Sequence, residues 1–176
     1  MKRVLIIGCP GAGKTTFSCR LAEITGLPLA HLDRLFWQGD WETVSREEFD
    51  ARLAAVLAEP AWMIDGNYDR TLSLRLSQAD TVFFFDLPTA SCLWGVTKRV
   101  LTCRGQVRPD MGGHCVERFG KNTIELYRNV LSFRRQHRKA YRKLLAEAET
   151  EGKTIVTLRS RREADAYLQT LTDRKE

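Results

Sequence analysis

The sequence predicts an α/β fold: a five-stranded parallel sheet with helices on both faces. Three observations predict it. Short apolar runs alternate with amphipathic helical patterns, the signature of successive strand–helix–strand units. One run, within "DTVFFFD", is almost continuously apolar, as expected of a strand buried on both faces. The first run passes straight into a glycine-rich loop and then a helical pattern, which places a ligand site at the carboxyl edge of the sheet.

The elements follow in order. Val4–Gly8 reads as the first strand, and a helix runs from Gly13 to near Gly26, a residue suited to the left-handed turn that ends helices. Pro28–Leu32 is a short second strand. In "VSREEF", Ser45 and Glu48 form a capping box; Phe49, Leu53, Val56 and Leu57 make the apolar stripe of the next helix, and Pro60 marks its end. Ala61–Asp65 is the third strand and Asp80–Asp86 the fourth. Thr89 to about Val100 is helical. Ile124–Ala148 carries the longest helical pattern and reads as one helix. Lys153–Leu158 is the fifth strand. "SRRE", Ser160–Glu163, is a second capping box, and Ala164, Tyr167, Leu168 and Leu171 form the core stripe of the last helix.

A chain of 176 residues is enough for one domain, 1–176, with a core that needs no staples. No apolar run approaches the ~20 residues that span a bilayer. The N-terminal run Val4–Ile7 is shorter than the roughly 7 residues a signal peptide needs, so the protein is expected to be cytoplasmic and away from membranes. The 5 cysteines contain no CxxC pair, which argues against a disulfide framework and suits a reducing compartment. A net charge of +6 suits an anionic partner, nucleotide phosphates or nucleic acid, without choosing between them.

The glycine-rich loop "GCPGAGKTT" has the form G-x-x-x-x-G-K-[ST], the P-loop of nucleoside triphosphate-binding proteins. Gly8, Pro10, Gly11, Ala12, Gly13, Lys14, Thr15 and Thr16 are its nucleotide-binding residues. The backbone can curl so that several N–H groups point at one phosphate, and the following helix adds its positive dipole end. Lys14 can reach the β- and γ-phosphates of ATP, and the Thr15 hydroxyl can serve Mg²⁺.

Asp65 and Asp86 end the third and fourth strands, where either could sit beside Mg²⁺ or act as a helix cap or turn residue. Asp33, after the second strand, is a candidate for Mg²⁺ or for the hydroxyl of a phosphoryl acceptor; the bland alternative is a turn residue. His31 reads as a buried, hydrogen-bonded histidine. Phe36, Trp37 and Trp41 either line an acceptor pocket or pack beneath the next helix.

The segments "GCPGAGKT", "HLDRLFW", "WMIDGNY", "ADTVFFFDLP", "KRVLTCRG" and "RPDM", from Met1 to about Glu117, resemble the FlaR-type DNA topology modulation proteins. These are small P-loop proteins similar to adenylate kinase. The resemblance implies a P-loop NTPase core with strand order 2-3-1-4-5, ATP with Mg²⁺, and a small mobile lid at about 100–118. It implies that Asp65 holds a water on Mg²⁺ and that Arg75 faces the acceptor. It places Arg99 at the entry to the lid, with Arg104 and Arg108 as lid arginines. Adenylate kinases carry "DGFPR" where this chain has "DGNYDR", and Arg70 falls one position later than their acceptor-binding arginine. AMP is therefore not assured as acceptor, and the expected reaction is phosphoryl transfer from ATP to an unidentified small acceptor. On this reading Lys14, Asp65, Arg104 and Arg108 are catalytic, because such transfer needs positioning and charge neutralisation more than covalent chemistry.

Two further patterns offer alternatives. From Arg118 to Glu147 there are nine basic residues against two acidic, with Arg134, Arg138 and Arg142 at i, i+4 spacing and Arg135, Lys139 and Lys143 beside them. Tyr127, Val130, Phe133, His137, Tyr141 and Leu144 form the opposite stripe. This face is either solvated or a nucleic-acid contact, the latter making the protein a nucleotide-dependent regulator. In "TCRGQVRPDMGGHC", Cys103, His114 and Cys115 are possible zinc ligands, but adjacent His114 and Cys115 and the lack of paired cysteines fit a tetrahedral site poorly. The segment is expected instead to be a lid in which Asp110 orients an arginine and Gly105, Gly112 and Gly113 provide hinges.

Overall fold

The computed structural model describes residues 1–107, 111–113, 115–116 and 119–173. The lid residues Arg108, Asp110 and His114, and Arg118 on the basic segment, lie outside the described residues.

The strands are β1 (Arg3–Gly8), β2 (Leu29–His31), β3 (Trp62–Asp65), β4 (Thr81–Phe85) and β5 (Thr154–Leu158). They form one parallel sheet in the order β2-β3-β1-β4-β5. Every residue of β3 and β4 is buried, as the apolar run in "DTVFFFD" requires. The helices are α1 (Lys14–Thr25), α2 (Leu32–Phe36), α3 (Arg46–Ala58), α4 (Asp69–Gln78), α5 (Thr89–Thr102), α6 (Lys121–Gln136), α7 (Arg138–Thr150) and α8 (Arg161–Thr172), and they cover both faces of the sheet. Phe17 of α1 shows how a helix docks: its ring meets Phe83 and Phe85 at 5.0 and 5.2 Å between centroids. Burying such a ring is worth about 1.5–3 kcal/mol.

The helix-start signals work as read. The Ser45 hydroxyl accepts from the Glu48 N–H at 3.1 Å, and the Ser160 hydroxyl accepts from the Glu163 N–H at 3.1 Å. Gly26 closes α1 in the left-handed conformation. Helices α2 and α4 were not signalled; α2 is a single short turn, and α4 starts after Tyr68 in a left-handed conformation that has no capping side chain.

The expected single helix 124–148 is two helices, α6 and α7, which meet at His137. Side chains account for the break. Asp69 takes the His137 Nδ1 at 2.7 Å and the Tyr141 hydroxyl, while Asp86 draws in the next turn. Arg138 binds Asp86 through Nε at 2.6 Å and Nη2 at 3.0 Å, and Arg142 adds a third bond at 2.7 Å. Two arginines of the expected basic face are therefore turned onto a carboxylate whose side chain is 3% exposed. Burial alone would raise the Asp86 carboxyl, but the hydrogen bonds from Arg138 and Arg142 outweigh it and hold the group below the usual carboxylate range.

Replacing both arginines by Met strands a buried carboxylate, and urea denaturation near neutral pH should show a loss of roughly 3 kcal/mol. The folded-state pKa of Asp86 is depressed, so its contribution is present above the unfolded value of about 3.9 and is lost as pH falls through the folded value. In the double variant burial acts alone and raises that pKa, so the stability gap should narrow between about pH 7 and pH 4. A gap that stays constant over this range would show that the arginines stabilise something other than Asp86.

Candidate functional site

The register of the sheet sets the site. His31 pairs with Asp65, Ile6 with Asp65, and Gly8 with Phe85, so β1 runs past the end of β3 and delivers its loop above the carboxyl edge. A cleft of about 790 Å³ opens there, bordered by the loop, by β2–β3 on one side and by α5 and α8 on the other. That volume lies within the usual range for small-molecule sites.

The loop curls because two backbones touch. Gly11 has φ +75°, and a Cβ on it would lie 2.3 Å from the Cys92 carbonyl oxygen of α5. A Cβ on Gly95 would in turn lie 2.0 Å from the Gly11 oxygen. Arg161, the first residue of α8, bonds the Gly11 carbonyl at 3.0 Å and the Ser91 carbonyl at 3.3 Å, pinning loop to helix. Inside the curl, Lys14 Nζ donates to the carbonyls of Gly8 and Cys9 at 3.0 and 3.1 Å. The Cys9 thiol is buried; its contact with Cys92 and its burial push its pKa upward, so it remains a neutral thiol.

Asp65 stands opposite Thr15, whose hydroxyl donates to Oδ2 at 2.9 Å, and His31 Nδ1 approaches the same oxygen at 3.2 Å. Hydroxyl and carboxylate are the hard oxygen donors that suit Mg²⁺, so this pair could hold it. His31 is thus a half-buried, hydrogen-bonded histidine, as expected, but its partner is the candidate metal carboxylate. Asp33 and Arg99 also border the cleft. Asp86, beneath Arg138 and Arg142, is spent on structure.

Two sequence expectations change, those for Arg75 and for the lid glycines. Arg75 does not face an acceptor. It is fully buried, and its guanidinium donates to the carbonyls of Gly66 (3.0 Å), Asn67 and Tyr68 (3.0 Å) and to the Thr71 hydroxyl (3.2 Å). Burial lowers its pKa to about 10, so it stays charged at neutral pH. Arg104 is exposed and does not border the cleft. Two of the three lid glycines are close contacts rather than free hinges: a Cβ on Gly112 would lie 1.8 Å from the Trp37 carbonyl oxygen, and one on Gly113 2.4 Å from the Gly39 nitrogen, whereas Gly105 has nothing within 4 Å. Cys115 is buried with its thiol on the carbonyls of Gln38 and Gly112, while Trp41 Nε1 donates to the Val116 carbonyl at 3.0 Å. Gly112, Gly113, Cys115 and Val116 are thus docked on the segment after α2. Among the described residues no cluster of metal-binding side chains appears around Cys103 and Cys115.

Sequence reasoning missed Asn67, Tyr68 and Arg161. Asn67 clamps the root of the loop, accepting from the Gly8 N–H at 3.0 Å and donating to the Gly8 carbonyl at 2.9 Å. The Tyr68 hydroxyl donates to Asp33 at 2.9 Å, and burial followed by the neighbouring Asp33 pushes its pKa upward, keeping the phenol neutral. Both lie in "DGNY", a segment already conspicuous in the sequence. Arg161 was legible only as part of a capping box.

Among solved structures, the chain is similar to shikimate kinase from Acinetobacter baumannii in complex with shikimate, with a TM-score of 0.56 and 19% identity over 99% of this chain and 95% of that one. The likeness is one of fold, the P-loop NTPase fold with a five-stranded parallel sheet. No family model matches the chain, and no curated protein matches its sequence.

Replacing Arg75 by Met takes its donor from the carbonyls of Gly66 and Asn67, while the Tyr68 carbonyl keeps the Thr71 N–H and hydroxyl. The urea midpoint should fall by the equivalent of roughly 3 kcal/mol. A change within about 0.5 kcal/mol would fit an arginine facing solvent or substrate instead.

Proposed function

We propose that this protein is an ATP-dependent phosphotransferase, nucleotide kinase-like in its core, that moves the γ-phosphoryl group of ATP to a small acceptor. The observation that carries this reading is the alignment of Lys14, inside the glycine curl, with the Thr15–Asp65 pair at one end of an open cleft. The loop N–H groups of residues 8–16 and the start of α1 would hold the phosphates, and Lys14 would reach the β- and γ-oxygens. Mg²⁺, held by Thr15 and through water by Asp65, would offset charge on the phosphate oxygens. Arg99 from the cleft wall, and Arg104 and Arg108 from the lid at 100–118, would add positive charge when the lid covers bound ATP. Closure would also exclude water, which otherwise competes as acceptor. Asp33 borders the same cleft and would meet the acceptor hydroxyl.

The resemblance of "DGNY" and "RPDM" to FlaR-type DNA topology modulation proteins supports this site, since Asn67 and Tyr68 tie the loop and Asp33 together. The nucleic-acid reading draws on the exposed Arg128, Arg134, Arg135 and Lys139. It loses Arg138 and Arg142 to Asp86, and phosphotransfer is preferred. Among the described residues no helix is long and apolar enough to cross a membrane, and five free cysteines suit the cytoplasm.

The test is ADP formation from Mg-ATP with a panel of nucleoside monophosphates, nucleosides, shikimate and other small hydroxyl compounds. Lys14→Ala should reduce acceptor-dependent turnover by at least about 100-fold while circular dichroism and the melting temperature stay close to wild type. Near-normal turnover in that variant would sink the assignment. ADP release that ignores every acceptor would point to a slow ATPase switch.

A further inference from the structure

Helices α5 and α6 pack side by side and are joined across their seam by the hydroxyls of Thr97 and Tyr127, 2.8 Å apart. Their inner sides carry Val96 and Val130, both fully buried in the core. Each helix sets one apolar residue three positions before the bonded residue and another four after it. These are Trp94 and Leu101 on α5, and Ile124 and Leu131 on α6. At 3.6 residues per turn they flank the bond by about one turn along each axis, on the bonded residue's side of the helix. All four are exposed: Trp94 by 63%, Leu101 by 72%, Ile124 by 47% and Leu131 by 58%. Because the inner sides face the core, the four share the outer side of the pair.

Single exposed apolar side chains need no partner, but four around one bond form a patch. Cations are set among them. Lys98 lies between Trp94 and Leu101, Arg128 lies between Ile124 and Leu131, and Arg135 follows one turn later; all three are exposed. Glu125 is the one carboxylate on the two helices, α5 having none. Both helices therefore repeat one pattern, apolar, basic, apolar, at positions i, i+4 and i+7.

Size and charge together choose the occupant of this face. Seven residues of helix span about 10 Å and packed helices stand about 8–10 Å apart, so the patch is on the order of a few hundred Å². That is well short of the roughly 800 Å² that each partner gives to a standard protein interface. A second copy would also set like charges against each other. Nucleic acid would pair with the cations, but Leu101, Ile124 and Leu131 have no aromatic face for a base and would lie against hydrated phosphates. An anionic bilayer surface answers both features. Its headgroups pair with lysine and arginine, and its acyl boundary takes up the tips of tryptophan and leucine. Among the described residues no helix is long and apolar enough to cross a membrane, but lying on one needs only a face.

We propose that the outer face of α5 and α6 is a peripheral docking surface for an anionic lipid bilayer. Trp94, Leu101, Ile124 and Leu131 reach the acyl boundary, and Lys98, Arg128 and Arg135 stand at headgroup level. The contact is reversible, since a few side chains hold far less firmly than an inserted helix. Lys98 also borders the cleft, so the docked surface lies beside the candidate site. The proposal does not depend on the phosphotransferase reading.

The test is co-sedimentation of the full chain with two kinds of vesicle, phosphatidylcholine alone and equal parts phosphatidylcholine and phosphatidylglycerol, with tryptophan emission read in parallel. Partition onto the anionic vesicles should be at least about 10-fold stronger, should weaken as salt rises from about 0.05 to 0.5 M, and should shift emission to shorter wavelength. Trp94→Gln combined with Leu131→Gln should reduce partition by about 10-fold and abolish the shift; Arg128→Glu combined with Arg135→Glu should reduce partition at least as much. These are exposed positions, so melting temperatures should stay within about 2 °C of wild type. Trp94→Phe keeps an aromatic ring, and should keep partition within about 3-fold while losing the shift. No partition, equal partition onto both kinds of vesicle, partition without an emission shift, or partition unchanged in the Trp94, Leu131 double variant overturns the proposal. So does a DNA duplex or a second copy that binds this face, seen by gel shift or gel filtration and lost in the same variants, while vesicles sediment without the protein.

Discussion

The carbonyls of residues 66–68 leave the end of β3 with no strand to pair them, and the buried guanidinium of Arg75 collects all three. Unpaired carbonyls in the interior are costly, and a buried charge without partners is costlier still, so each need is met by the other. Much of the site hangs from this one cluster. With the loop fixed, Asn67 holds both backbone atoms of Gly8 and sets where the phosphate-binding loop begins. Tyr68, held in a left-handed conformation, points its hydroxyl at Asp33 across the cleft. One buried arginine that does not border the cleft thus positions both Asn67 and Tyr68.

Asp65 and Asp86 end neighbouring regions of the same sheet, and by residue type and position they are alike. Their surroundings separate them. Asp65 faces the hydroxyl of Thr15 and remains at the edge of the cleft, where a cation can be added. Asp86 is already neutralised by two guanidinium groups drawn from α7, and the helix breaks at His137 as they reach inward. A helix kinked by its own side chains exchanges continuity for a paired buried charge. The same exchange pairs two cations of the face that looked suited to nucleic acid, although the Arg142 side chain stays half exposed.

The segment after α5 shows how glycine can mean opposite things. Flexibility and close approach both require the absence of a side chain, and "MGG" alone does not distinguish them. Here the backbone of residues 112–113 lies against that of Trp37 and Gly39, Cys115 is buried between them, and Val107 bridges Val116. Gly112, Gly113 and Cys115 are therefore anchored against the segment after α2.

The sequence by itself determined the five strands, the glycine-rich loop between β1 and α1 and the capped starts of α3 and α8, because each rests on neighbours in the chain. Lys14 and Thr15 are placed by a turn a few residues long; Ser45 and Ser160 cap through bonds three residues away; an apolar run of four residues is buried wherever it lands. The family resemblance supplied the strand order, and the sheet follows it. Tertiary structure alone decided which charges are spent. Arg75 and Arg99 are both arginines on helices, yet one is sealed under carbonyls and the other borders the cleft. Asp86 finds its partners more than fifty residues away, at Arg138 and Arg142. Local patterns fix backbone geometry because hydrogen-bond and rotamer preferences act over a turn or a strand. The fate of a charge depends on its desolvation and on whatever the fold brings beside it, and neither is written in its neighbours along the chain.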